Sequence, residues 1–374
     1  MKHLTAFAFG LTTLTATAIM AQDRPEGLAA LGPPPIPADN AMTPEKIALG
    51  EKLFFDPILS GNNAMPCSSC HLPDAGWAIQ DKISFGYPGT THWRNSQTIV
   101  NSAYYGKLFW AGSSGSLEHQ ARSAARGGVA GNGEDDMMEA RLAFVPEYRK
   151  AFAEVFGDDW PNVRHAYMAI AAYERSIVQT DTPFDIYMDG DDDALDDAQK
   201  RGLDLFVGKA KCIACHSGPL LTDESYHNLG VPAYDGWQDD AIAQITFRFE
   251  LLAKGSTEEM YRTTKDDPGL YFRTKQKSDK GKFRTPSLRY TKYTYPYMHN
   301  GMIETLHDVV EFYNAGGGEN EFADNKSPLI EPLGLSDSEV NDLVAFLESL
   351  SGDEILPTEP DLPEMQPLPV AANN

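Results

Sequence analysis

Positive charge is what this chain has least of. Its 31 lysines and arginines stand against 54 aspartates and glutamates, for a formal net charge of −23. A surface so short of positive charge repels phosphate backbones and anionic lipid, which excludes nucleic acid as a partner. The acidity either steers a basic partner toward the protein or only keeps it dispersed, and composition does not separate the two. Long apolar runs are missing as well, apart from one at the start. There Lys2 and His3 precede an apolar stretch, Leu4 to Ile19, whose end merges into the small-residue segment Ala16 to Ala21, and polar Gln22, Asp23 and Arg24 follow. Residues 1–21 read as a secretory signal peptide; the run is short and rich in threonine for the alternative, an uncleaved anchor. No later segment is apolar enough to cross a bilayer, so no membrane insertion is expected after cleavage. Cysteine is rare, at four residues, and strand-type alternation is scarce, so the chain is expected to be mostly α.

At 374 residues the chain is too long for one ordinary core and suggests two domains. Residues 22–41 hold Pro33, Pro34, Pro35 and Pro37 and form a Pro-rich lead-in. A helix start follows, with Thr43 as N-cap, Pro44 in the first helical position and Glu45 in the first turn. Its core-facing residues are Ile47, Leu49, Leu53 and Phe54. The acidic run Asp189 to Asp197 reads as a linker. Beyond it, Gly202, Leu203, Leu205 and Phe206 echo Gly50, Leu53 and Phe54, and a cysteine pair follows each group, a weak internal repeat. Two domains of one kind are therefore expected, at 42–188 and 198–352, joined by residues 189–197. Val163, Ala166, Tyr167, Ile170 and Ile177 share one helix face; Val340, Leu343, Val344 and Leu347 share another, behind the capping pair Ser336 and Glu339. Much of the rest is rich in Gly, Pro, Asn and Asp and should form long ordered loops. Residues 353–374 are a Pro-rich acidic tail, disordered or draped over the surface.

All four cysteines fall in two copies of one pattern: Cys67-Ser68-Ser69-Cys70-His71 and Cys212-Ile213-Ala214-Cys215-His216. Two thiols three positions apart can each form a thioether to one haem vinyl group, and the imidazole that follows can bind the iron from below. Zinc sites also use paired thiols, but zinc pairs lie about 15 to 20 residues apart. Most of a domain separates these, and zinc gives no reason for a histidine after each pair. Disulfides would leave both histidines unexplained. The chain is read as a cytochrome with two c-type haems, one in each domain. Such haems are attached outside the cytoplasm in bacteria, so the signal peptide points to the periplasm. Function then hangs on the second axial ligand: an iron held on both faces mainly transfers electrons, while an open face binds peroxide or oxygen.

Two stretches carry a resemblance. LGEKLFFDPILS, from Leu49 to Ser60, and FRTPSLRYTKYTYPYMHNGMIETLHDVVEFY, from Phe283 to Tyr313, resemble the bacterial dihaem cytochrome c peroxidase and MauG family. With both haem motifs and the final helix Ser336 to Leu350, the likeness covers nearly the whole mature chain. It implies two cytochrome c-like domains, a peroxide-reactive haem in the first and a six-coordinate, electron-handling haem in the second. Counted from His299, the sixth ligand of the second haem falls at Tyr313, where the peroxidases have Met and MauG has Tyr; Met298 and Met302 are rivals. The helical spacing of Leu306, Val309, Val310 and Tyr313 turns Tyr313 inward.

The resemblance further implies that Trp110 relays electrons between the haems and that Gln120 stands in the peroxide pocket. The family places beyond that glutamine an acid that moves a proton between peroxide oxygens. Its proline-containing segment is replaced here by Gly127 to Met137, without proline and with an apparent insertion. Glu134 is the first candidate and Asp136 the second, with a solvated acidic loop as the alternative. Where peroxidases can close the first iron with a histidine, this chain has Tyr87, with His92 nearby, which suggests a permanently open iron. A calcium ion between the haems would be held by Asn95, Thr294 and Pro296. The expectation is a MauG-like enzyme that activates hydrogen peroxide and oxidises a partner protein. Alternatives are a peroxidase fed by a small cytochrome or copper protein and, from another class, a dihaem electron carrier without catalysis.

Overall fold

The computed structural model describes residues 24–87 and 89–364. The expected signal peptide, residues 1–21, and the end of the expected tail, residues 365–374, lie outside the described residues. Helices dominate, as the sequence patterning led one to expect. In order they are α1 (Pro44–Phe55), α2 (Leu117–Arg126), α3 (Asp135–Ala143), α4 (Pro146–Phe156), α5 (Val163–Ser176), α6 (Pro183–Met188), α7 (Asp197–Val207), α8 (Ala241–Ala253), α9 (Glu258–Thr263), α10 (Tyr271–Thr274), α11 (Leu306–Asn314) and α12 (Asp337–Ser349). The strands are two-residue ladders: β1 (Phe85–Gly86) pairs antiparallel with β2 (Thr90–Thr91), and β3 (Tyr226–His227) with β4 (Phe283–Arg284). Among the described residues no helix is long and apolar enough to cross a membrane.

Local chemistry sets the helix starts. Thr43 caps α1 by accepting the Lys46 amide N–H, with Pro44 in the first turn. Ser336 and Glu339 close a reciprocal capping box on α12, and Asp196 and Gln199 do the same on α7. Each such cap satisfies amide donors that the first helical turn leaves unpaired.

The internal repeat is visible as two helix crossings. In the first half α1 crosses α5 so closely that a Cβ on Gly50 would lie 1.9 Å from the Ala169 carbonyl oxygen, beside Tyr173. In the second, α7 crosses α12, and a Cβ on Gly202 would lie 2.0 Å from the Asp342 carbonyl oxygen, beside Phe346. Only glycine permits that approach. The spacing fixes the correspondence between the halves: Ala169 matches Asp342, Tyr173 matches Phe346, and therefore Ile170 matches Leu343 and Glu174 matches Leu347.

Each crossing organises its own core. Leu49, Leu53, Phe54, Trp77, Phe152, Ile170 and Tyr173 belong to the first, and Leu203, Phe206, Leu343, Phe346 and Leu347 to the second. The Pro-rich lead-in is part of the second, since Leu28 is buried there and the Leu31 amide donates to Asp185 across the fold. That same Asp185 forms a fully buried ion pair with Arg289 at 2.8 Å. A third, smaller core was not legible in advance. Trp237, Phe247, Leu251, Met260, Tyr271 and Phe272 pack together, with Trp93 against them. Finally, the chain end returns to the first half. The Trp77 indole donates to the Ile355 carbonyl at 2.8 Å, the Ile355 amide donates to the Tyr290 hydroxyl at 2.7 Å, and Gln179 bonds Gly352 and Asp353.

Candidate functional site

Both Cys-x-x-Cys-His segments fold as a single tight turn, Cys67–Ser69 and Cys212–Ala214. The turn brings the His71 amide to the Cys67 carbonyl at 3.1 Å and the His216 amide to the Cys212 carbonyl at 2.9 Å. No disulfide joins the four cysteines. Cys67 packs against the first core and Cys212 against the second, so the pairs cannot share one zinc ion. Burial pushes the Cys67 and Cys212 thiols up to about 12. Both motifs face one cavity of about 920 Å³.

The imidazoles are set for iron. His71 Nδ1 lies 3.2 Å from the Trp77 carbonyl oxygen and His216 Nδ1 lies 3.0 Å from that of Leu221. A carbonyl only accepts, so each ring carries its proton on Nδ1 and keeps the Nε2 lone pair for a metal. Burial keeps both rings neutral, lowering His71 and bringing His216 down to about 4. Paired thiols, a metal-ready imidazole and a large cavity at each turn fit two c-type haems, held by Cys67, Cys70 and His71 and by Cys212, Cys215 and His216.

The first half of the cavity contains one residue the sequence reading named and one it missed. Gln120 on α2 lines the cavity, and its Oε1 is buried without a hydrogen-bond partner. Glu174 on α5, the helix packed against α2, also lines it, with Oε2 buried and unpartnered. Neighbouring Arg175 does not relieve it, because the guanidinium is bonded to Glu118 at 2.8 Å. Burial, opposed by Arg175, pushes the Glu174 carboxyl up to about 8. The two acids expected from the sequence do not reach the site. Glu134 ends the loop before α3, with its side chain 73% exposed and 4.0 Å from Arg126, and Asp136 is exposed on α3. Neither faces the cavity, because the glycine-rich insertion turns its acids to solvent. A signal for Glu174 did exist: it occupies the apolar face of α5, four residues after Ile170 and three before Ile177, where a carboxyl is out of place.

Tyr87 does not line the cavity, whereas His92 does. His92 Nδ1 accepts the Arg94 amide N–H at 3.0 Å and its ring stacks on Trp93 at 3.9 Å. Burial, then Arg94, bring it down to about 3, so its single proton sits on Nε2. That tautomer is the reverse of those at His71 and His216.

Around the second motif, Leu306, Val309, Val310 and Tyr313 of α11 all line the cavity. Burial, then Cys212 and Cys215, hold the Tyr313 phenol well above its usual range. Met298 lines the cavity as well, while Met302 does not, its sulfur accepting the Asp235 amide N–H at 3.4 Å. In the same cavity, the Trp110 indole donates to the Asn95 carbonyl at 2.8 Å and meets the His299 ring edge-on at 6.4 Å; His299 in turn stacks on Phe283 at 3.8 Å. Asn95, Thr294 and Pro296 line the same cavity, with Asn95 Nδ2 donating to the Ile79 and Asp81 carbonyls.

Comparison with known proteins agrees with this geometry. A family model described as di-haem cytochrome c peroxidase matches residues 44–193. The chain is 55% identical over 359 residues to cytochrome-c peroxidase IdrP1 of Pseudomonas sp. (strain SCT), covering 95% of this chain and 94% of the relative. It is 34% identical over 330 residues to methylamine utilization protein MauG of Methylorubrum extorquens, covering 88% and 84%. A crystal structure of a MauG-like protein associated with microbial copper homeostasis superposes with a TM-score of 0.72 at 30% identity, covering 88% of this chain and 95% of that one. The chain belongs to the di-haem cytochrome c peroxidase family and is a dihaem peroxidase-type oxidoreductase with two c-type haems.

Proposed function

We propose that the protein is a periplasmic peroxidase that reduces hydrogen peroxide to water in the first half of the cavity, with electrons entering through the second half from a small redox protein. The relatives at 54–55% identity are named cytochrome-c peroxidases, whereas those named MauG stand at 31–34%. The peroxidase reading therefore displaces the MauG-like one expected from the sequence. The observation that carries it is that Gln120 and Glu174, two residues lining the cavity from packed helices, each hold a buried polar atom without a partner, Oε1 and Oε2.

When bound, the haems supply an iron that takes peroxide and a second iron that relays electrons. Cys67, Cys70 and His71 would hold the first, and Cys212, Cys215, His216 and Tyr313 would hold the second. Reduction of one peroxide consumes two electrons and two protons and yields two waters. Glu174 holds a proton on its carboxyl and delivers it to the oxygen that leaves as water. Gln120 orients the peroxide by hydrogen bonding. Trp110, fixed by its bond to the Asn95 carbonyl, would stand on the electron path between the halves, and Asn95, Thr294 and Pro296 would hold a calcium ion beside it.

One observation favours the second reading, oxidation of a partner protein: Tyr313, not a methionine, lies on the inward face of α11, and a phenolate favours oxidised iron over reduced. The two readings separate in one assay. The purified holoprotein should consume peroxide steadily with a reduced small cytochrome or copper protein. Peroxide consumed only when a partner protein is covalently oxidised would overturn the peroxidase reading.

A further inference from the structure

Behind Glu174 lies a layer of buried charge that the proton chemistry has not yet used. Glu174 and Gln120 line the cavity, whereas Arg175 and Glu118, on the same two helices, do not. Successive residues of a helix point about 100° apart, so Arg175 leaves α5 in a different direction from Glu174. There its Nη2 donates to Glu118 Oε1 at 2.8 Å and its Nη1 to the Ala171 carbonyl at 3.3 Å. Glu118 Oε1 also accepts from Asn40 Nδ2 at 2.7 Å, and Asn40 Oδ1 accepts from Lys46 Nζ at 3.0 Å. Arg175, Asn40 and Lys46 are buried and Glu118 is partly so. One helix, α2, thus carries Gln120 on the cavity side and Glu118 behind the wall.

A guanidinium next in sequence to a buried carboxylic acid endangers its proton. An opposite charge within about 4 to 6 Å lowers a carboxyl by about one to three pH units. The titratable groups that act on Glu174 are Arg175 and Tyr173 on its own helix, Glu118 on α2 and Cys67 on the first haem turn; Lys46 of α1 joins them through Asn40. Burial raises the Glu174 carboxyl, Arg175 opposes this, and Glu118 raises it further. Glu118 itself stays ionised: burial raises it, but the bonds from Asn40 and Arg175 outweigh burial and hold it below its usual value. Two buried cations, Arg175 and Lys46, therefore share one committed anion.

We propose that Glu118 is a positioning residue for the proton-carrying acid: it anchors the Arg175 guanidinium behind the cavity wall, Asn40 steadies the anchor, and Glu174 is thereby kept in its acid form. The proposal rests on the reading of Glu174 as the proton donor. Without a carboxylate at position 118, Arg175 and Lys46 lose their shared counter-charge, and Glu174 is the carboxyl left to supply one. It then releases its proton to solvent at a lower pH and has none to give to peroxide.

Two readouts test this across about pH 5 to 9: peroxide turnover by the holoprotein with a reduced small cytochrome, and the infrared stretch of the protonated Glu174 carboxyl in the resting protein. In the wild type both should show the proton lost around pH 8. In Glu118→Gln both midpoints should fall by about one to three pH units, while haem content stays at two and turnover at the acid end matches the wild type. Removing the cation as well, by adding Arg175→Gln, should return both midpoints to about 8 or above, which loss of a merely structural contact would not do. An unmoved midpoint in Glu118→Gln, a loss of turnover equal at every pH, or a double variant no better than the single one overturns the proposal. Should Glu118→Gln fail to hold two haems, Glu118→Asp takes its place, keeping the charge but drawing it back by one methylene: a smaller fall in midpoint supports the proposal and an unmoved one overturns it. A wild type with no alkaline limb, or a limb that persists in Glu174→Gln, overturns the reading of Glu174 itself and this proposal with it.

Discussion

The two halves of this protein share one plan, and among their differences one cavity-lining helix position stands out. Both cross a glycine-bearing helix under a partner helix, both set a Cys-x-x-Cys-His turn at the cavity, and both aim a histidine Nδ1 at a backbone carbonyl. Where the second half has Leu347, the first has Glu174, and both residues line the cavity. Chemistry that moves protons needs a group that can hold one; chemistry that only passes electrons is better served by an apolar wall. On the proposed reading, this one difference fits the first half for proton transfer and the second for electron transfer.

The comparison can be broken at four depths. Replacing Cys67 and Cys70 together with serine should leave one haem per chain by mass and abolish peroxide turnover, while the same change at Cys212 and Cys215 should leave a protein that still binds peroxide. Glu174→Gln should keep both haems and lower kcat about a hundredfold, within the range typical for loss of a general acid.

The same residue fixes a pH signature. Its carboxyl is raised from 4.5 to about 8, so the acid form persists at neutral pH. Turnover in the wild type should fall as pH rises through about 8, and this limb should vanish in Glu174→Gln. For stability the sign is that of a raised carboxyl. The folded state retains a proton that the unfolded chain releases near 4.5, so the wild type loses stability relative to the Gln variant from that pH upward through about 8. A chemical denaturation series across that window would show the loss, and a flat difference would remove Glu174 from this role.

Gly50→Ala and Gly202→Ala sharpen the shared plan. Each should cost about 3 kcal/mol, the upper end of ordinary overpacking, because the new Cβ meets a backbone carbonyl and not a movable side chain. Equal losses in denaturant midpoint would confirm equal crossings. The smallest effect is spectroscopic: Tyr313→Met should introduce a weak near-infrared band that the wild type and Tyr313→Phe both lack, while haem content stays at two.

The sequence announced the haem turns, the helical class and the two modules because each is local or periodic. Thiol spacing, cap residues and the Gly-Leu-Phe repeat all lie within a few positions of one another. The acid that lines the cavity, Glu174, went unnamed because its setting depends on what surrounds it. Glu134 and Asp136 follow Gln120 in sequence at a plausible distance, yet the insertion carries them to the surface, and Glu174 reaches the cavity from a helix that begins more than forty residues after Gln120. Similarly, the third core around Phe247 depends on segments from Trp93 to Phe272 that no window of sequence joins.

The strap from Gly352 to Ile355 braces the first haem turn from a distance. The bond from Trp77 to Ile355 joins residues 278 positions apart, so a core residue of the first half is held by a segment that follows the last helix. The Trp77 backbone carbonyl is also the acceptor for the His71 ring, so removing the chain from Gly352 onward would loosen the residue that orients that imidazole.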